Sequence, residues 1–194
     1  MSEPSEAVAA AALLRGRFLD AGMRVLARDG YGSFKQSTVC AETGLTTGGF
    51  YHSFPSWKDF EIALIEHWKS DATAKLVTTL RTIGSPEERV TAVTAVAKLL
   101  PHRTERALRV WAAKDPDVAA AVSDVDQTRF DAIAEFVGAL VADPDEPTRI
   151  AAHSMMVLIG YQCSNIDAAD FEQTLGRIRD DALALPRRSD QTSE

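Results

Sequence analysis

The chain has 194 residues, of which 45% are hydrophobic, so it is long enough to bury a substantial core in one large domain or two unequal ones. Its formal net charge of -7 argues against a protein that is basic overall and attracts nucleic acid over its whole surface. Residues 1–70 carry seven Lys or Arg against eight Asp or Glu, so any basic contact surface in the N-terminal part must be local.

No N-terminal stretch joins a basic region to an apolar core and a cleavage site, and no apolar run reaches about 18 residues. We therefore expect neither a signal peptide nor a membrane span, and we expect a cytoplasmic protein. Cys40 and Cys163 are the only cysteines, and each lies within an apolar helical pattern. They are typical of reduced thiols in a core, with a redox-sensing pair as the alternative.

Plentiful Ala, sparse Gly and Pro, and the lack of long alternating β-type runs predict an all-α fold. After a polar arm, Met1–Glu6, a first helix is predicted from Ala7 to Asp29 because its apolar residues recur at helical spacing. Gly30 can end that helix in the left-handed conformation. Ser33 is predicted to cap a second, short helix that runs through Thr43.

A third helix is predicted directly after Gly44, which makes the turn between two short helices. The hydroxyl of Thr46 is placed to cap this helix, while Phe50 and Phe54 share its inward face. Its exposed N-terminal side then carries small, uncharged residues. Two short helices joined by a turn that contains Gly form the outline of a helix-turn-helix, whose second helix meets the DNA major groove.

The rest of the chain is predicted to form six further helices. Ser56 caps a fourth helix, whose apolar face runs for about 25 residues. Ser85 and Pro86 give a strong start signal for the fifth, which stops at Pro101. The remaining helices are predicted over 104–111, 115–141, 150–159 and 168–185.

The last two helices are apolar enough to require cover on more than one side. Residues 150–159 are apolar nearly all round, and the apolar positions of 168–185 alternate in steps of four and three, as in helices packed lengthwise. We expect a two-fold dimer built as a four-helix bundle, with packing on the monomer's own core as the alternative. The predicted interface residues are Met155, Ile159, Phe171, Leu175, Ile178 and Ala182.

The N-terminal order of motifs resembles the TetR family of transcriptional regulators over roughly residues 10–60. The stretches 38–46 and 48–56, with Lys58 after them, carry this resemblance, whereas beyond Trp68 it is only architectural. It implies an N-terminal three-helix helix-turn-helix DNA-binding domain over 1–56 and a C-terminal six-helix ligand-binding and dimerisation domain over 57–185. The polar residues 186–194 are predicted to form a disordered tail.

The resemblance also implies roles for single residues. Tyr51, His52 and Lys58 would contact phosphates, and such donors near helix N-termini suit that task. The family commonly has Lys where Thr47 stands and often Arg where Ser37 stands, so direct readout would rely on amide and hydroxyl groups, with a weak salt dependence. The full predicted DNA-binding set is Lys35, Gln36, Ser37, Thr46, Thr47, Gly48, Gly49, Tyr51, His52 and Lys58.

Family members usually bind a small molecule among helices four to eight, and this moves their two DNA-binding domains apart. An aromatic and Met-rich set in this chain suits an apolar effector. The predicted pocket residues are Trp68, Trp111, Phe130, His153, Met156 and Tyr161. The expected function is therefore that of a homodimeric repressor that binds a palindromic DNA operator and is released by a small, mainly apolar molecule.

Catalytic and metal-binding patterns are missing from the sequence, so no enzyme, cofactor or metal is expected. Residues 44–49 lack the Gly-Lys-Ser/Thr ending of a phosphate loop, and the four His residues lack the spacing of a zinc site. The acidic charge and the missing Lys and Arg motivate an alternative, a helical small-molecule-binding or scaffolding protein that has lost specific DNA binding. A transcriptional activator is a further variation that the sequence leaves open.

Overall fold

The computed structural model describes residues 3–188, with side chains described for 8–70 and 73–188. This range forms ten α-helices and confirms the all-α prediction. The helices are α1 Glu3–Asp29, α2 Gln36–Thr43, α3 Thr47–Ser53, α4 Trp57–Lys69, α5 Lys75–Arg81, α6 Pro86–Leu99, α7 His102–Ala112, α8 Pro116–Gly138, α9 Glu146–Cys163 and α10 Ala168–Ala184. No described helix combines the length and the hydropathy that crossing a membrane requires.

Two short irregular turns interrupt the helical order. A 3₁₀ turn at Tyr31–Ser33 precedes α2, and a π-helical turn at Ser70–Ala74 joins α4 to α5. The apolar face predicted for one long fourth helix therefore continues through a change of helical register. At the N-terminus, α1 begins at Glu3, so the predicted polar arm is helical from that residue. Residues 1–2 of that arm and residues 189–194 of the predicted tail lie outside the described residues.

The chain divides into two compact units. The head unit consists of residues 1–70 with 101–121, and the body unit consists of residues 71–100 with 122–194. This grouping places α4 and α7 in the head unit, whereas the predicted division into a DNA-binding and a ligand-binding domain lies after residue 56. In that unit Trp111 of α7 stacks on Tyr31, with ring centroids 5.2 Å apart, and contacts Phe34 at 5.3 Å.

The long helix α1 organises the head unit by packing against α2, α3, α4 and α7. Gly22 allows the close approach of α4. A Cβ atom at this position would stand 2.9 Å from Phe60 Cζ and 3.1 Å from Leu64 Cδ1, inside normal contact distance. A larger residue would push α4 away, so the small size of Gly22 sets the spacing of the two helices.

Three predicted helix caps are confirmed and one is wrong. The hydroxyls of Thr46, Ser56 and Ser85 accept hydrogen bonds from the backbone N–H groups of Gly49, Asp59 and Glu88 at 3.2, 3.1 and 3.3 Å. Ser33 does not cap α2, because the 3₁₀ turn ends at this residue and α2 starts only after Lys35. The N-terminus of α2 consequently lacks a side-chain cap.

An ion-pair cluster fastens α2 to α1. Arg24 Nε donates to Glu42 Oε1 at 2.9 Å, and Arg28 Nη1 donates to Glu42 Oε2 at 2.6 Å. The bonds from Arg24 and Arg28 hold the pKa of Glu42 below its ordinary value. A carboxyl group with a lowered pKa stabilises the fold above its unfolded pKa, and this contribution is lost as the pH falls through the folded pKa.

We therefore expect Glu42→Gln to lower the melting temperature at pH 7 by about 1–3 °C, since exposed ion pairs contribute little each. The difference from the wild type should shrink as the pH falls from about 5 toward 3. Thermal unfolding of the full chain followed by circular dichroism measures both quantities. Glu66→Gln, which removes an exposed carboxylate 3.8 Å from Lys69, is the matched control and should show almost no change. A constant gap at all pH values would contradict the assigned role of Glu42.

The body unit is built around α8 and α10. Phe136 of α8 is fully buried in one cluster with Val90 and Ala182, and Leu175 of α10 lies in a second cluster. Tyr161 of α9 stacks on Phe171 of α10 with ring centroids 4.1 Å apart. The seam predicted for the last helix is thus its buried face.

Residues 186–188 are ordered by backbone hydrogen bonds. The N–H of Ala142 donates to the carbonyl of Pro186 at 3.0 Å, and the N–H of Arg188 donates to the carbonyl of Leu140 at 3.1 Å. This isolated antiparallel bridge pairs the backbone of the residues that follow α8 with that of the residues that follow α10. The predicted disordered tail is therefore wrong for these three residues.

Candidate nucleic-acid interface

Helices α2 and α3 form the predicted helix-turn-helix. The turn is made by Gly44, whose φ of 68° lies in the left-handed region that favours glycine, and by the β-region cap Thr46. Gly44 donates its N–H to the carbonyl of Ala41 at 3.3 Å, and Leu45 donates to the carbonyl of Cys40 at the same distance. These bonds end α2 sharply and fix the direction in which α3 leaves.

Aromatic packing fixes α3 from below. Phe50 and Phe54 are both fully buried, as the sequence predicts. Phe50 meets Phe18 of α1 edge to face at 5.4 Å, and Phe54 meets Phe60 of α4 in the same way at 5.0 Å. Such edge-to-face pairs have directional preferences beyond simple burial. The recognition helix therefore has a defined orientation in the head unit.

The opposite side of α3 is open to solvent. Thr47, Gly48 and His52 are exposed, and Tyr51 has 51% of its surface exposed. A Cβ atom at Gly48 or Gly49 would contact only Thr46 Oγ1, at 3.7 Å, so internal packing does not require glycine at either position. Their lack of a side chain leaves room for another molecule to approach the backbone closely.

The side chain of Thr47, on this exposed surface, contacts the buried residue Cys40. The thiol of Cys40 and the side chain of Thr47 are hydrogen-bonded, and burial raises the pKa of Cys40 despite that bond. A buried thiol with a raised pKa is a poor nucleophile at neutral pH. The core-thiol prediction is confirmed for Cys40, whereas it is wrong for Cys163, which is exposed near the end of α9.

Three further side chains of the predicted set lie at the N-terminus of α2 or just before it. Lys35 and Ser37 are exposed, and Gln36 is half-buried. The hydroxyl of Tyr51 donates to Gln36 Oε1 at 3.4 Å, which joins α3 to α2 across the motif. Gln36 Nε2 has no hydrogen-bond partner among the described residues. The Gln36 amide thus has a donor still to be satisfied, in the place where readout of adenine is expected.

Lys58, in the first turn of α4, is already paired within the head unit. Its Nζ lies 3.2 Å from Asp115 Oδ2 and 3.7 Å from Asp117 Oδ2. The bond to Asp115 raises the pKa of Lys58. Burial alone would raise the pKa of Asp115, but the bonds from Lys58 and two backbone N–H groups bring it below its ordinary value. A phosphate contact by Lys58 must therefore compete with this pair.

Two arginines of α1 were missed by the sequence-based prediction. Arg15 Nη1 donates to the carbonyl of Ser53 at 2.8 Å, and its guanidinium lies 4.2 Å from the centre of the Phe54 ring. Arg17 Nη2 donates to the carbonyl of Thr43 at 3.3 Å. Arg15 thus lies at the C-terminal end of α3 and Arg17 at that of α2, where a positive charge interacts favourably with the helix dipole. The sequence signal was their position beside Phe18 on a helix that flanks the motif.

The body unit contains a cavity with a volume of about 90 Å³. Its walls are mainly aliphatic and come from α5, α6, α8, α9, α10 and the π-helical turn before α5. None of the predicted pocket residues is among its lining residues. Trp68 and Trp111 are buried in the head unit, whereas Phe130 and Tyr161 are half-buried and His153 and Met156 are exposed in the body unit.

The predicted dimer residues are largely used within the single chain. Met155, Phe171, Leu175, Ile178 and Ala182 are buried, and Ile159 is half-buried. The monomer's own core therefore covers the faces that the prediction assigned to a partner. The outer side of α9 is different, because Met156 has 66% of its surface exposed. Association through these helices would have to use such outer faces.

Known proteins resemble the chain in both sequence and fold. Residues 18–60 match the profile of the family described as bacterial regulatory proteins, tetR family. A search of curated protein sequences gives no match. A TetR-family transcriptional regulator from Agrobacterium tumefaciens superposes with a TM-score of 0.70 and 17% identity, covering 88% of this chain and 98% of that one.

Two further solved structures show the same fold. A TetR-family transcriptional regulator from Streptomyces coelicolor gives a TM-score of 0.68 at 20% identity, covering 88% of this chain and 96% of that one. The reduced form of NemR from E. coli gives a TM-score of 0.67 at 16% identity, with 88% and 94% covered. At such low identities the likeness concerns the fold, while the sequence match concerns the head unit.

Proposed function

We infer that this chain is a member of the TetR family of transcriptional regulators and a ligand-responsive repressor that binds a palindromic operator as a homodimer. A small, mainly apolar effector releases it from DNA. The observation that carries the proposal is the exposed N-terminal side of α3, Thr46–Gly49 with Tyr51, on a helix whose other side is fixed by fully buried Phe50 and Phe54. A rigid helix with a small, polar outer side fits the major groove.

Charge supports the proposal only locally. The head unit presents exposed Lys35 just before α2 and exposed His52 in the last turn of α3, and the backbone N–H groups at the N-terminus of α3 favour a phosphate. Because this set of cations is small, we expect the slope of log K for DNA binding against log salt concentration to be well below about 10 in magnitude. The cytoplasmic location expected from the sequence remains a prediction.

The effector is proposed to bind in the body unit's cavity, because its aliphatic walls suit an apolar molecule. Release requires the effector to bind the DNA-incompetent state more tightly than the competent one. A shift from mostly bound to mostly released takes several kcal/mol of such difference. A compound that stabilises the chain against heat but leaves its operator affinity unchanged would contradict this mechanism.

Equilibrium binding to the DNA upstream of the protein's own gene tests the proposal. We expect a complex at submicromolar protein in moderate salt, and loss of at least tenfold in affinity for Tyr51→Ala. Gln127→Ala, on α8, removes an exposed side chain of comparable polarity and should bind like the wild type. No complex at micromolar protein and low salt would favour the alternative, a helical small-molecule-binding protein without specific DNA binding.

The pair between Lys58 and Asp115 leads to a separate prediction. Asp115→Asn removes the competing charge but keeps an oxygen for the N–H groups of Asp117 and Val118, which now lie 3.0 and 3.3 Å from Asp115 Oδ1. We expect operator affinity to rise about two- to fivefold and the salt slope to steepen by about 1, because Lys58 becomes free for a phosphate.

Fluorescence anisotropy at several salt concentrations measures both effects of Asp115→Asn. Asp117→Asn is the matched control, since this carboxylate is more exposed and lies farther from Lys58, at 3.7 Å. Its effect on operator affinity should be smaller. Unchanged affinity and slope in Asp115→Asn would show that Lys58 does not exchange Asp115 for DNA.

A further inference from the structure

The cavity of the body unit has one unsatisfied polar atom in its wall. Thr73 lines the cavity and only 3% of its surface is exposed. Its Oγ1 has no hydrogen-bond partner among the described residues. A buried hydroxyl without a partner is costly, and such groups in native proteins call for an explanation. A ligand oxygen in the cavity would supply the missing bond.

The helical register explains why this hydroxyl lacks a partner. Other helical threonines of the body unit, such as Thr78, Thr91 and Thr174, donate to the carbonyl four residues earlier at 2.8 or 2.9 Å. Thr73 instead lies in the π-helical turn Ser70–Ala74, where backbone hydrogen bonds span five residues instead of four. The turn thus frees a hydroxyl that a regular α-helix would satisfy.

The two arginines in the cavity wall do not require a negatively charged ligand. Arg129 and Arg179 both line the cavity. Arg179 Nη2 already lies 2.7 Å from Asp180 Oδ1, and Arg129 has an interaction of its own. Most of the remaining wall is aliphatic, so an ionised ligand group would lose its hydration for little return. The chemistry of the wall favours a neutral ligand with one polar oxygen.

We propose that Thr73 is the polar anchor of this cavity and that the effector is an uncharged, largely hydrocarbon molecule with a single carbonyl or hydroxyl group. The hydrocarbon part packs among side chains such as Val93, Ile133 and Leu158, and the ligand oxygen bonds to Thr73 Oγ1. The inference rests on the proposed function, because it takes this cavity to be the effector site.

Matched eight-carbon probes test the ligand class. Binding of 2-octanone, 1-octanol and octanoate to the full chain is measured by isothermal titration calorimetry at pH 8, where octanoate is ionised. The ketone and the alcohol should bind, and octanoate should bind at least about tenfold more weakly because its carboxylate must be desolvated. Tighter binding of octanoate than of both neutral probes, or binding of none of the three, would overturn the proposal.

Two variants test the anchor. Thr73→Val keeps the shape of the side chain but removes its hydroxyl. The variant should bind 2-octanone about fivefold more weakly than the wild type, which is the typical effect of losing one neutral hydrogen bond. The free variant should unfold at the same temperature as the wild type or a higher one, since an unpartnered buried hydroxyl is lost. Thr78→Val, whose exposed hydroxyl bonds to Ala74, is the control and should bind the ketone normally. Wild-type ketone affinity in Thr73→Val would refute the anchor.

Operator binding without any probe separates the two proposals. If the wild type binds DNA but none of the probes, the ligand class is wrong while DNA binding stands. If the ketone binds and depends on Thr73 but no operator complex forms, the cavity chemistry holds and the repressor function is wrong. Both wild type and Thr73→Val are measured, and the variant should retain its operator affinity in the absence of ligand.

Discussion

Replacing Phe50 by Ala should lower the free energy of unfolding by about 3–5 kcal/mol, the range found for truncating a fully buried Phe. Phe50 has no exposed surface and its ring lies 5.4 Å from that of Phe18 and 5.3 Å from that of Phe60. The space left by its ring lies between α1, α3 and α4, so the recognition helix would lose its support. Operator binding should be lost together with stability.

Urea unfolding of Phe50→Ala and Tyr51→Ala side by side makes the comparison sharp. The two residues are neighbours on α3, but Tyr51 is half-exposed, so its truncation should change stability by less than about 1 kcal/mol. Phe50→Ala is therefore expected to lose DNA binding through unfolding and Tyr51→Ala through a missing contact. A loss of under about 1 kcal/mol in Phe50→Ala would show that this ring does not hold the head unit together.

Thr47→Glu should weaken operator binding by at least about 100-fold without unfolding the head unit. Thr47 is the first residue of α3 and is exposed, so a carboxylate here would face the DNA phosphates and base edges. Like charges brought together in an interface cost several kcal/mol. The same carboxylate favours the N-terminus of α3 by about 0.3–1 kcal/mol, which offsets the lost bond to Cys40.

Thr47→Gln is the matched control, because it has the same length as Glu and no charge. Its operator affinity should fall far less than that of Thr47→Glu, and both variants should melt close to the wild type. Fluorescence anisotropy and thermal unfolding give the two quantities on the same samples. If Glu and Gln at this position bound DNA equally well, the N-terminus of α3 would not lie against the operator.

Local chemistry made the motif predictable from the sequence. A hydroxyl at the start of a helical pattern can accept a hydrogen bond from the backbone N–H three residues later. This local rule identifies Thr46 and Ser56 as caps, and both are confirmed. Helical spacing likewise predicted the burial of Phe50 and Phe54. These features depend on a few neighbouring residues, so the sequence contains the information directly.

Features that depend on distant contacts were not predictable in the same way. Trp111 joins the head unit because Tyr31 and Phe34 lie beside it, 80 and 77 positions away in the chain. The π-helical turn places the buried residues Trp68 and Thr73 five positions apart, a step that a search for regular helical spacing does not anticipate. The pairing of Lys58 with Asp115 joins residues 57 positions apart, so no local sequence pattern indicates it.

Residue type alone does not distinguish a cavity wall from ordinary core. Aromatic and Met residues were favoured as lining, but the cavity wall is mainly Val, Leu, Ile and Ala, which look like ordinary core in a sequence. An apolar seam shows that a helix face is buried but not what covers it. The seam of α10 is covered within its own chain, where Phe171 stacks on Tyr161.

Hydroxyl-radical footprinting on the DNA upstream of the gene tests the central claim, that a homodimer reads a palindromic operator. We expect two protected patches related by two-fold symmetry, with centres separated by about 34–36 Å or a multiple of it along one face of the duplex. Tyr51→Ala should protect neither patch at the same protein concentration. A single unsymmetrical patch, or uniform weak protection along the whole fragment, would contradict the proposed function.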